Sequence, residues 1–287
     1  MPSSPPFYRL LALDIDGTLV DLGDKIGERT LAALAKAQAR GVEIMLCTGR
    51  RYSRALPIAR RLNLHLPLVT ASGALIKSPA THETLFQAQI RPAVLLPLLA
   101  YVHDRGFQPI LYTDSFGLGY DFHLAEARAK SPELAEFLSL NADSIRLSPD
   151  LMTSPPADVF AGFVMGTADE MRDLAANLER LWPGELYVHV IRSPRYFGYM
   201  CEIAPAGVSK WSGVQYVARQ LQLSPAQICA VGDDVNDLPM LTQAGLGVAM
   251  GNAPPDVRAQ ASRVTGKNTD EGLLQVVDWL LGEGGFA

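Results

Sequence analysis

Residues 7–19 read FYRLLALDIDGTL, and this stretch decides the fold of the 287-residue chain. The apolar run 7–13 is typical of a buried strand, and Asp14 and Asp16 follow it directly. Ligands bind at the carboxyl ends of strands in open parallel sheets, and Gly17 lets the chain turn sharply there. Two close carboxylates repel each other unless a hard divalent cation relieves the repulsion. The alternative is a loop with two solvated acids.

Short apolar runs alternate with helical patterns in both terminal parts of the chain. Strands are predicted over residues 7–13, 42–47 and 67–70, helices over 28–40 and 51–62, and a hairpin over 74–77 and 84–88. The pattern resumes with strands 200–204, 227–231, 246–249 and 263–265 and helices 209–221, 237–243, 254–259 and 270–281. Continuous apolar strands between amphipathic helices predict an α/β fold, a doubly wound parallel sheet of the Rossmann-like kind.

About a hundred residues in the middle lack this regular alternation of apolar runs and helical patterns. Helices are predicted over 92–105 and 168–182, each followed by a strand, over 108–112 and 186–191, with irregular segments between. This pattern indicates an inserted α+β domain. We expect a core formed by residues 1–89 and 194–287 and an insertion over residues 90–193.

Composition excludes several classes of protein. With 25 basic and 30 acidic residues the net charge is −5, which disfavours binding to nucleic acid. Cys47, Cys201 and Cys229 lie in apolar runs without a CxxC pair, which disfavours a zinc site and fits reduced thiols in the cytoplasm. The first residues lack a cationic signal region, and the apolar segment 94–102 is too short to span a membrane. No pattern assigns an oligomeric state.

Three further motifs follow predicted strands or begin predicted helices. Thr48-Gly49-Arg50 offers a hydroxyl and a free amide to a phosphate, or is an ordinary helix cap. Lys210 lies at the positive end of a helix dipole, where a cation is unfavourable unless it serves a nearby anion; the alternative is an ordinary solvated lysine.

The last motif is Gly232-Asp233-Asp234-Val235-Asn236-Asp237, which supplies hard oxygen ligands or an acidic turn with an Asp cap. Together the motifs predict a site for phosphoryl transfer.

With these four motifs in this order, the chain resembles the haloacid dehalogenase-like superfamily, and within it the Cof-type phosphatases with a large inserted α/β cap. The resemblance covers nearly the whole chain. It implies that Asp14 is a nucleophile forming an aspartyl-phosphate, and that Asp16 is the general acid and base. It also implies Mg²⁺ held by Asp14, Asp233 and the backbone carbonyl of Asp16, with Asp237 behind these ligands. Phosphate contacts are implied for Thr48, the amide of Gly49, Lys210 and Asn236.

The chain departs from this family pattern at two positions. Ser72 stands where an asparagine is frequent, and Asp234 where a small polar residue is frequent. The first change is expected to alter substrate contacts, and the second either tunes metal affinity or faces solvent. Candidates for substrate specificity lie on one irregular stretch of the insertion and at its return crossing, and the alternative for each is an ordinary surface or packing residue. They are Tyr112, Asp114, Tyr120, Asp121 and His123, and at the crossing Arg192, Arg195 and Tyr196.

The resulting expectation is a Mg²⁺-dependent phosphatase that acts on small phosphorylated metabolites. Sugar phosphates are the favoured substrate class, and nucleotide-like cofactors such as flavin mononucleotide or pyridoxal phosphate are the next. One alternative is a phosphomutase of the phosphomannomutase type, which requires a bisphosphate activator. The other is a non-catalytic sensor of phosphorylated metabolites, although both Asp14 and Asp16 are present.

Overall fold

A computed structural model describes residues 7–192 and 196–283. The strands in chain order are β1 (Leu10–Leu13), β2 (Glu43–Leu46), β3 (Leu68–Thr70), β4 (Leu75–Lys77), β5 (Thr84–Gln87), β6 (Ile110–Tyr112), β7 (Phe122–Leu124), β8 (Ile145–Leu147), β9 (Ala161–Gly166), β10 (Leu186–Ile191), β11 (Tyr199–Pro205), β12 (Ile228–Gly232), β13 (Leu246–Ala249) and β14 (Arg263–Val264). The helices are α1 (Glu28–Ala39), α2 (Tyr52–Arg61), α3 (Pro92–Asp104), α4 (Pro132–Asn141), α5 (Ala168–Leu181), α6 (Lys210–Gln220), α7 (Leu238–Gln243), α8 (Pro255–Gln260) and α9 (Leu273–Leu281).

The chain forms two compact units, of which the second is inserted into the first. The first unit contains residues up to Leu85 and from Ser209 onward, and the second is Phe86–Val208. The insertion therefore begins at Phe86 rather than at residue 90, and it ends at Val208 rather than at residue 193.

The first unit has a parallel sheet in the order β14-β13-β12-β1-β2. A single parallel bridge between Cys47 and Val69 adds β3 beside β2. Strand β3 pairs antiparallel with β4, and β5 is the next strand of this small sheet. The order from β3 to β14 is that of a doubly wound sheet: from β1 the successive strands are added first on the β2 side and then on the β12 side, so the strand order reverses between β1 and β12. The predicted fold class is confirmed.

Both faces of this sheet are covered. Leu10 and Ala12 of β1 pack with Trp211 and Val214 of α6 in one cluster. Leu11 and Leu13 alternate to the opposite face and are fully buried too. A strand buried on both faces needs a continuous apolar run, which is what residues 10–13 supply.

The inserted unit is built on a six-stranded sheet in the order β10-β11-β9-β6-β7-β8. Its pairs are antiparallel except for β7 with β8. Helices α3 and α5 pack on one face through buried leucines that include Leu98, Leu99, Leu174 and Leu178.

The assignment of residues 200–204 to the core was wrong. Tyr199–Pro205 forms β11, which pairs with β10 and β9 of the inserted unit. An apolar strand has the same sequence pattern in either sheet, so the pattern did not indicate which strands it pairs with.

Within residues 7–192 and 196–283, no helix is both long and apolar enough to cross a membrane.

Candidate active site

Four separate parts of the chain bring polar side chains to one edge of the core sheet. Asp14 directly follows β1, Thr48 is the second residue after β2, and Asp233 directly follows β12. Lys210 is the first residue of α6. Because β1 and β12 flank the point where the sheet order reverses, their carboxyl ends open into the crevice where ligands bind in such sheets.

Lys210 joins two of the buried acids. Its Nζ donates to Oδ1 of Asp14 and to Oδ1 of Asp237, at 2.6 Å in both cases. The Lys210 side chain is only 2% exposed, so it is not a solvated surface lysine. Burial, the largest influence, lowers the pKa of Lys210, but the charges of Asp14 and Asp237 outweigh it and hold the pKa above its ordinary value. Lys210 is therefore a fixed cation.

Lys210 is placed by the start of its helix. Ser209 caps α6 by accepting from the amide of Ser212 at 3.2 Å, and the Ser212 hydroxyl in turn accepts from the amide of Ser209 at 3.0 Å. This reciprocal cap fixes the backbone of the first turn. A cation is unfavourable at this end of a helix, and here the two carboxylates compensate for it.

Asp237 organises the loop that carries Asp233. It is completely buried, and its Oδ2 accepts from the amides of Asp233 and Asp234 at 2.9 and 3.0 Å. Gly232 is required beside it, because a Cβ at that position would overlap the Asp237 carboxylate. Both oxygens of Asp237 are thus already bonded within the protein.

Asp233 is oriented by two neutral side chains. Its Oδ1 accepts from the hydroxyl of Thr18 at 3.2 Å, and its Oδ2 accepts from Nδ2 of Asn252 at 3.1 Å. The same Asn252 nitrogen donates to the carbonyl oxygen of Gly17 at 2.8 Å. Gly17 has φ +73°, and a Cβ there would overlap the Asp233 carboxylate, so both turn and proximity require glycine.

The carboxylates have the chemistry of a divalent cation site. Oxygen atoms of Asp14, Asp233 and Asp237 lie within 4.8 Å of one another. Three carboxylates against the one ammonium of Lys210 leave an excess of two negative charges, which matches one divalent cation. The ligands are all hard oxygens, which suits Mg²⁺ better than a thiol- or imidazole-seeking metal.

Burial and the neighbouring negative charges raise the pKa values of two of these acids. Burial, followed by the charges of Asp237 and Asp16, raises the pKa of Asp14 to about 8, although Lys210 opposes the shift. Burial, followed by Asp14 and Asp237, also raises the pKa of Asp233 well above its ordinary value. Additional positive charge at this site would lower both pKa values and keep the carboxylates ionised.

Arg50 contacts acids instead of projecting freely. Its Nε and Nη2 each lie 2.6 Å from an oxygen of Asp16, and Nη2 also lies 2.6 Å from Oδ1 of Asp24. The partners of Arg50 in the structure are therefore two acids of neighbouring loops.

The loop after β2 brings Thr48 near the loop after β3. The Thr48 hydroxyl accepts from the amide of Arg50 at 3.0 Å, and the Thr48 carbonyl accepts from the amide of Ser72 at 3.0 Å. Nδ2 of Asn236 lies 3.5 Å from the Ser72 hydroxyl. Oδ1 of Asn236 is buried and lacks a hydrogen-bond partner in the described part of the chain, so it can still bind a ligand donor.

Asp234 has a local role. Its Oδ1 accepts from the amide of Val235 at 2.7 Å, and Asp234 caps the short turn 235–237. It is the Asp cap that the sequence offered as an alternative to a ligand.

Several candidates of the inserted unit serve packing. Tyr112 lies among Phe122, Phe160 and Phe163, with ring centroids 4.8 to 5.8 Å away. His123 is buried between the hydroxyls of Thr113 and Ser148, at 3.0 and 2.9 Å.

The structure gives most of the remaining candidates of the inserted unit a packing contact, a partner within the chain or an exposed position. The ring of Tyr196 packs on Phe137, 5.0 Å between centroids. Tyr120 packs edge-on against His123, and Arg192 is exposed. Asp114 and Asp121 have partners within the chain, and Arg195 lies outside the described residues.

Sequence analysis missed two positions that shape the site, Asn252 and Asp24. Asn252 follows β13, the next strand of the same sheet, so the rule that identified Asp14 and Asp233 would have found it. Asp24 lies in the loop before α1 and carries no such positional signal.

Comparisons with known proteins agree with the fold and place the chain in a family. Residues 11–277 match the family model described as haloacid dehalogenase-like hydrolase. The chain is 30% identical over 276 residues to the stress response protein YhaX of Bacillus subtilis, covering 94% of this chain and 92% of that protein. It is 29% identical over 253 residues to an HMP-PP phosphatase of Serratia proteamaculans, covering 88% and 87%.

A solved phosphatase of the haloalkanoate superfamily from Bacteroides thetaiotaomicron shares the fold, with a TM-score of 0.78, 21% identity and 95% of each chain covered. The expected enzyme class, a hydrolase of phosphoric monoesters, is confirmed by relatives that are named phosphatases and by the family match. The chain belongs to the haloacid dehalogenase-like hydrolases.

Proposed function

We propose that this enzyme is a Mg²⁺-dependent phosphatase that hydrolyses small phosphorylated metabolites, foremost sugar phosphates, by way of a phosphoryl group carried on Asp14. The observation that carries the proposal is the buried ammonium of Lys210, 2.6 Å from Asp14, in a site with an excess of carboxylates. The named activity of the HMP-PP phosphatase relative supports a small phosphorylated substrate. Sugar phosphates are favoured by the family resemblance alone.

The chemistry divides into two steps on Asp14. In the first, a carboxylate oxygen of Asp14 bonds to phosphorus while the bond from phosphorus to the ester oxygen breaks. Asp16 donates its proton to that oxygen, which leaves as an alcohol. In the second step Asp16 takes a proton from a water molecule whose oxygen bonds to phosphorus. The bond from phosphorus to Asp14 then breaks, which releases phosphate and restores both aspartates.

Charge compensation is the main task of the remaining residues. Lys210 is fixed between Asp14 and Asp237, so it offsets negative charge without having to reorganise during the reaction. We assign Thr48, the amide of Gly49 and Asn236 to the phosphate oxygens. Nδ2 of Asn236 is the group that we assign to an anionic oxygen, because an amide nitrogen donates, and the buried Oδ1 is left to accept from a donor of the ligand.

Asp14, Asp233 and the backbone carbonyl of Asp16 are the proposed ligands of Mg²⁺. Asp237 is better suited to positioning, because its oxygens already accept from Lys210 and from two amides. When bound, Mg²⁺ supplies positive charge between the carboxylate of Asp14 and the substrate phosphate, which repel each other.

The test is phosphate release from p-nitrophenyl phosphate with Mg²⁺, with EDTA, and with the variant Asp14→Asn. This variant keeps the volume of the side chain and removes its nucleophilic charge. We expect turnover that requires Mg²⁺, returns when Mg²⁺ is restored after EDTA, and falls at least about 10³-fold in the variant.

Other outcomes contradict parts of the proposal. Turnover that survives Asp14→Asn would contradict the assignment of the nucleophile. Binding of sugar phosphates without release of phosphate would make the protein a sensor. A requirement for a bisphosphate activator, with transfer back to substrate, would make it a phosphomutase.

A further inference from the structure

Arg50 fixes the orientation of Asp16 through both carboxylate oxygens. Its Nε donates to Oδ2 and its Nη2 donates to Oδ1, each at 2.6 Å. The Arg50 side chain is 8% exposed and that of Asp16 is 28% exposed, so the pair is shielded from solvent on the Arg50 side. A planar fork that binds both oxygens fixes the plane of the carboxylate, which a single hydrogen bond does not.

Asp24 holds Arg50 from the other side. Nη2 of Arg50 donates to Oδ1 of Asp24 at 2.6 Å as well as to Asp16. Burial, the largest influence, lowers the pKa of Arg50, but the hydrogen bonds and charges of Asp16 and Asp24 more than reverse it. The guanidinium therefore lies charged between two acids, one in the site and one in the loop before α1.

The position of Asp24 is built by its own loop. Oδ1 of Asp21 accepts from the amides of Gly23 and Lys25 at 2.8 and 2.9 Å, and the Asp21 carbonyl accepts from the amide of Asp24 at 3.2 Å. Asp24 itself has φ 60°, a conformation that aspartate and asparagine tolerate better than most residues. A loop closed in this way holds Asp24 in place as an anchor for Arg50.

We propose that Arg50 and Asp24 are positioning residues that orient the Asp16 carboxylate toward the leaving group. The inference rests on the proposed function, in which Asp16 protonates the departing ester oxygen. An ionised carboxylate offers about four acceptor positions, and the fork of Arg50 occupies two of them. The fork itself therefore fixes the plane of the carboxylate without using every lone pair of the two oxygens.

A comparison of leaving groups separates this role from a general structural one. Dinitrophenolate leaves without protonation, whereas phenolate is a much poorer leaving group that needs a proton. We therefore measure kcat/KM, which reports the steps up to transfer onto Asp14, for 2,4-dinitrophenyl phosphate and for phenyl phosphate. The variant Arg50→Lys keeps the charge but loses the fork, and Asp24→Asn keeps the shape and the tolerated φ but loses the charge.

We expect Arg50→Lys to lower kcat/KM for phenyl phosphate by about 10- to 100-fold and for the dinitrophenyl ester by less than about threefold. Asp24→Asn should produce the same selective loss at a smaller magnitude, about three- to tenfold. The control Arg60→Gln changes an exposed arginine in the last turn of α2 and should leave both values unchanged.

Measurement of Arg50→Lys in an Asp16→Asn background completes a double-mutant cycle. There, Arg50→Lys should add no further selectivity between the two esters, because the group that it positions is no longer an acid. Equal losses on both esters, no loss on either, or an undiminished selective effect in the Asp16→Asn background would overturn the inference while the proposed function stands. A wild-type enzyme that hydrolyses neither ester would overturn the proposed function as well.

Discussion

At the scale of single residues, the turn after β3 combines strain with close packing. Ala71, Ser72 and Gly73 all have positive φ, at 46°, 53° and 103°. Two of them are not glycine, and each such residue costs about 1–2 kcal/mol. Backbone bonds hold the turn in place, from the amide of Ala71 to the Arg50 carbonyl at 2.9 Å and from Ser72 to Thr48 at 3.0 Å. The strain therefore lies where the Thr48 loop meets the start of α6.

Replacement of Gly73 tests this close packing. In Gly73→Ala the new Cβ would overlap the carbonyl oxygen of Ser209, and the backbone would be strained as well. In the control Gly41→Ala, φ is also positive, at 85°, but nothing lies within 4 Å of the new Cβ. We expect a loss of about 1 kcal/mol for Gly41→Ala and about 3 kcal/mol or more for Gly73→Ala. Thermal unfolding measures both, and equal shifts would contradict the contact with Ser209.

The sequence indicated which side chains lie at the edge of the sheet better than it indicated which side chains form hydrogen bonds with one another. Asp14, Asp233 and Lys210 follow from their positions at strand ends and at a helix start, which the sheet order brings together. The pairing of Arg50 with Asp16 and Asp24 did not follow, because it depends on how two loops and a long side chain pack. Such contacts have no period in the sequence.

At the scale of the element, reciprocal caps begin two of the helices. In α5, the hydroxyl of Thr167 accepts from the amide of Glu170, and a carboxylate oxygen of Glu170 accepts from the amide of Thr167 at 2.8 Å. The bonds that this carboxylate accepts, first from the Thr167 amide and then from the Thr167 hydroxyl, which also donates at 2.8 Å, lower the pKa of Glu170 below its ordinary value of 4.5. The cap therefore favours the ionised form of Glu170.

The cap of α5 predicts a specific dependence on pH. Because the pKa of Glu170 is lowered on folding, its bonds stabilise the chain above pH 4.5, and this contribution is lost as the pH falls through the folded pKa. Glutamine serves the same cap without titrating. We expect Glu170→Gln to show a smaller drop in unfolding temperature than the wild type between about pH 6 and pH 3.5. Asp173→Asn, an exposed acid of the same helix, is the control. An unchanged pH dependence in Glu170→Gln would contradict the contribution of the cap.

Elements with a clear period were predicted and short irregular ones were not. The long helices α1, α3 and α5 and the buried strands β1, β2 and β12 lie where their patterns placed them, within one to three residues at the ends. Helix α4 and strands β7, β8 and β9 were missed. Helix α4 buries Glu133 and Asn141 beside Leu134 and Phe137, so no purely apolar stripe marks it, and β9 contains two glycines. Strands β7 and β8 are three-residue strands within irregular segments. Short runs rich in glycine carry little periodic signal.

At the scale of the whole molecule, the insertion separates the two halves of one site along the chain. Asp14 and Lys210 are 196 positions apart and still form a hydrogen bond of 2.6 Å. The packing of α6 on the sheet makes this possible, because Trp211 and Val214 lie in one cluster with Leu10 and Ala12 of β1 and so bring the start of α6 to the residue that follows β1. The insertion itself was predicted, but its second boundary was placed too early because β11 pairs within the inserted sheet.

The most direct test of the account maps the phosphoryl group itself. The wild-type enzyme, mixed with 2,4-dinitrophenyl phosphate and Mg²⁺ and quenched in acid during turnover, is digested and its peptides are weighed. The account predicts that the peptide containing Asp14 gains the mass of one phosphoryl group, which hydroxylamine then removes as it does from acyl phosphates. A phosphoryl group on any other residue, or turnover with no phosphorylated peptide under single-turnover conditions that would accumulate it, would contradict Asp14 as the nucleophile.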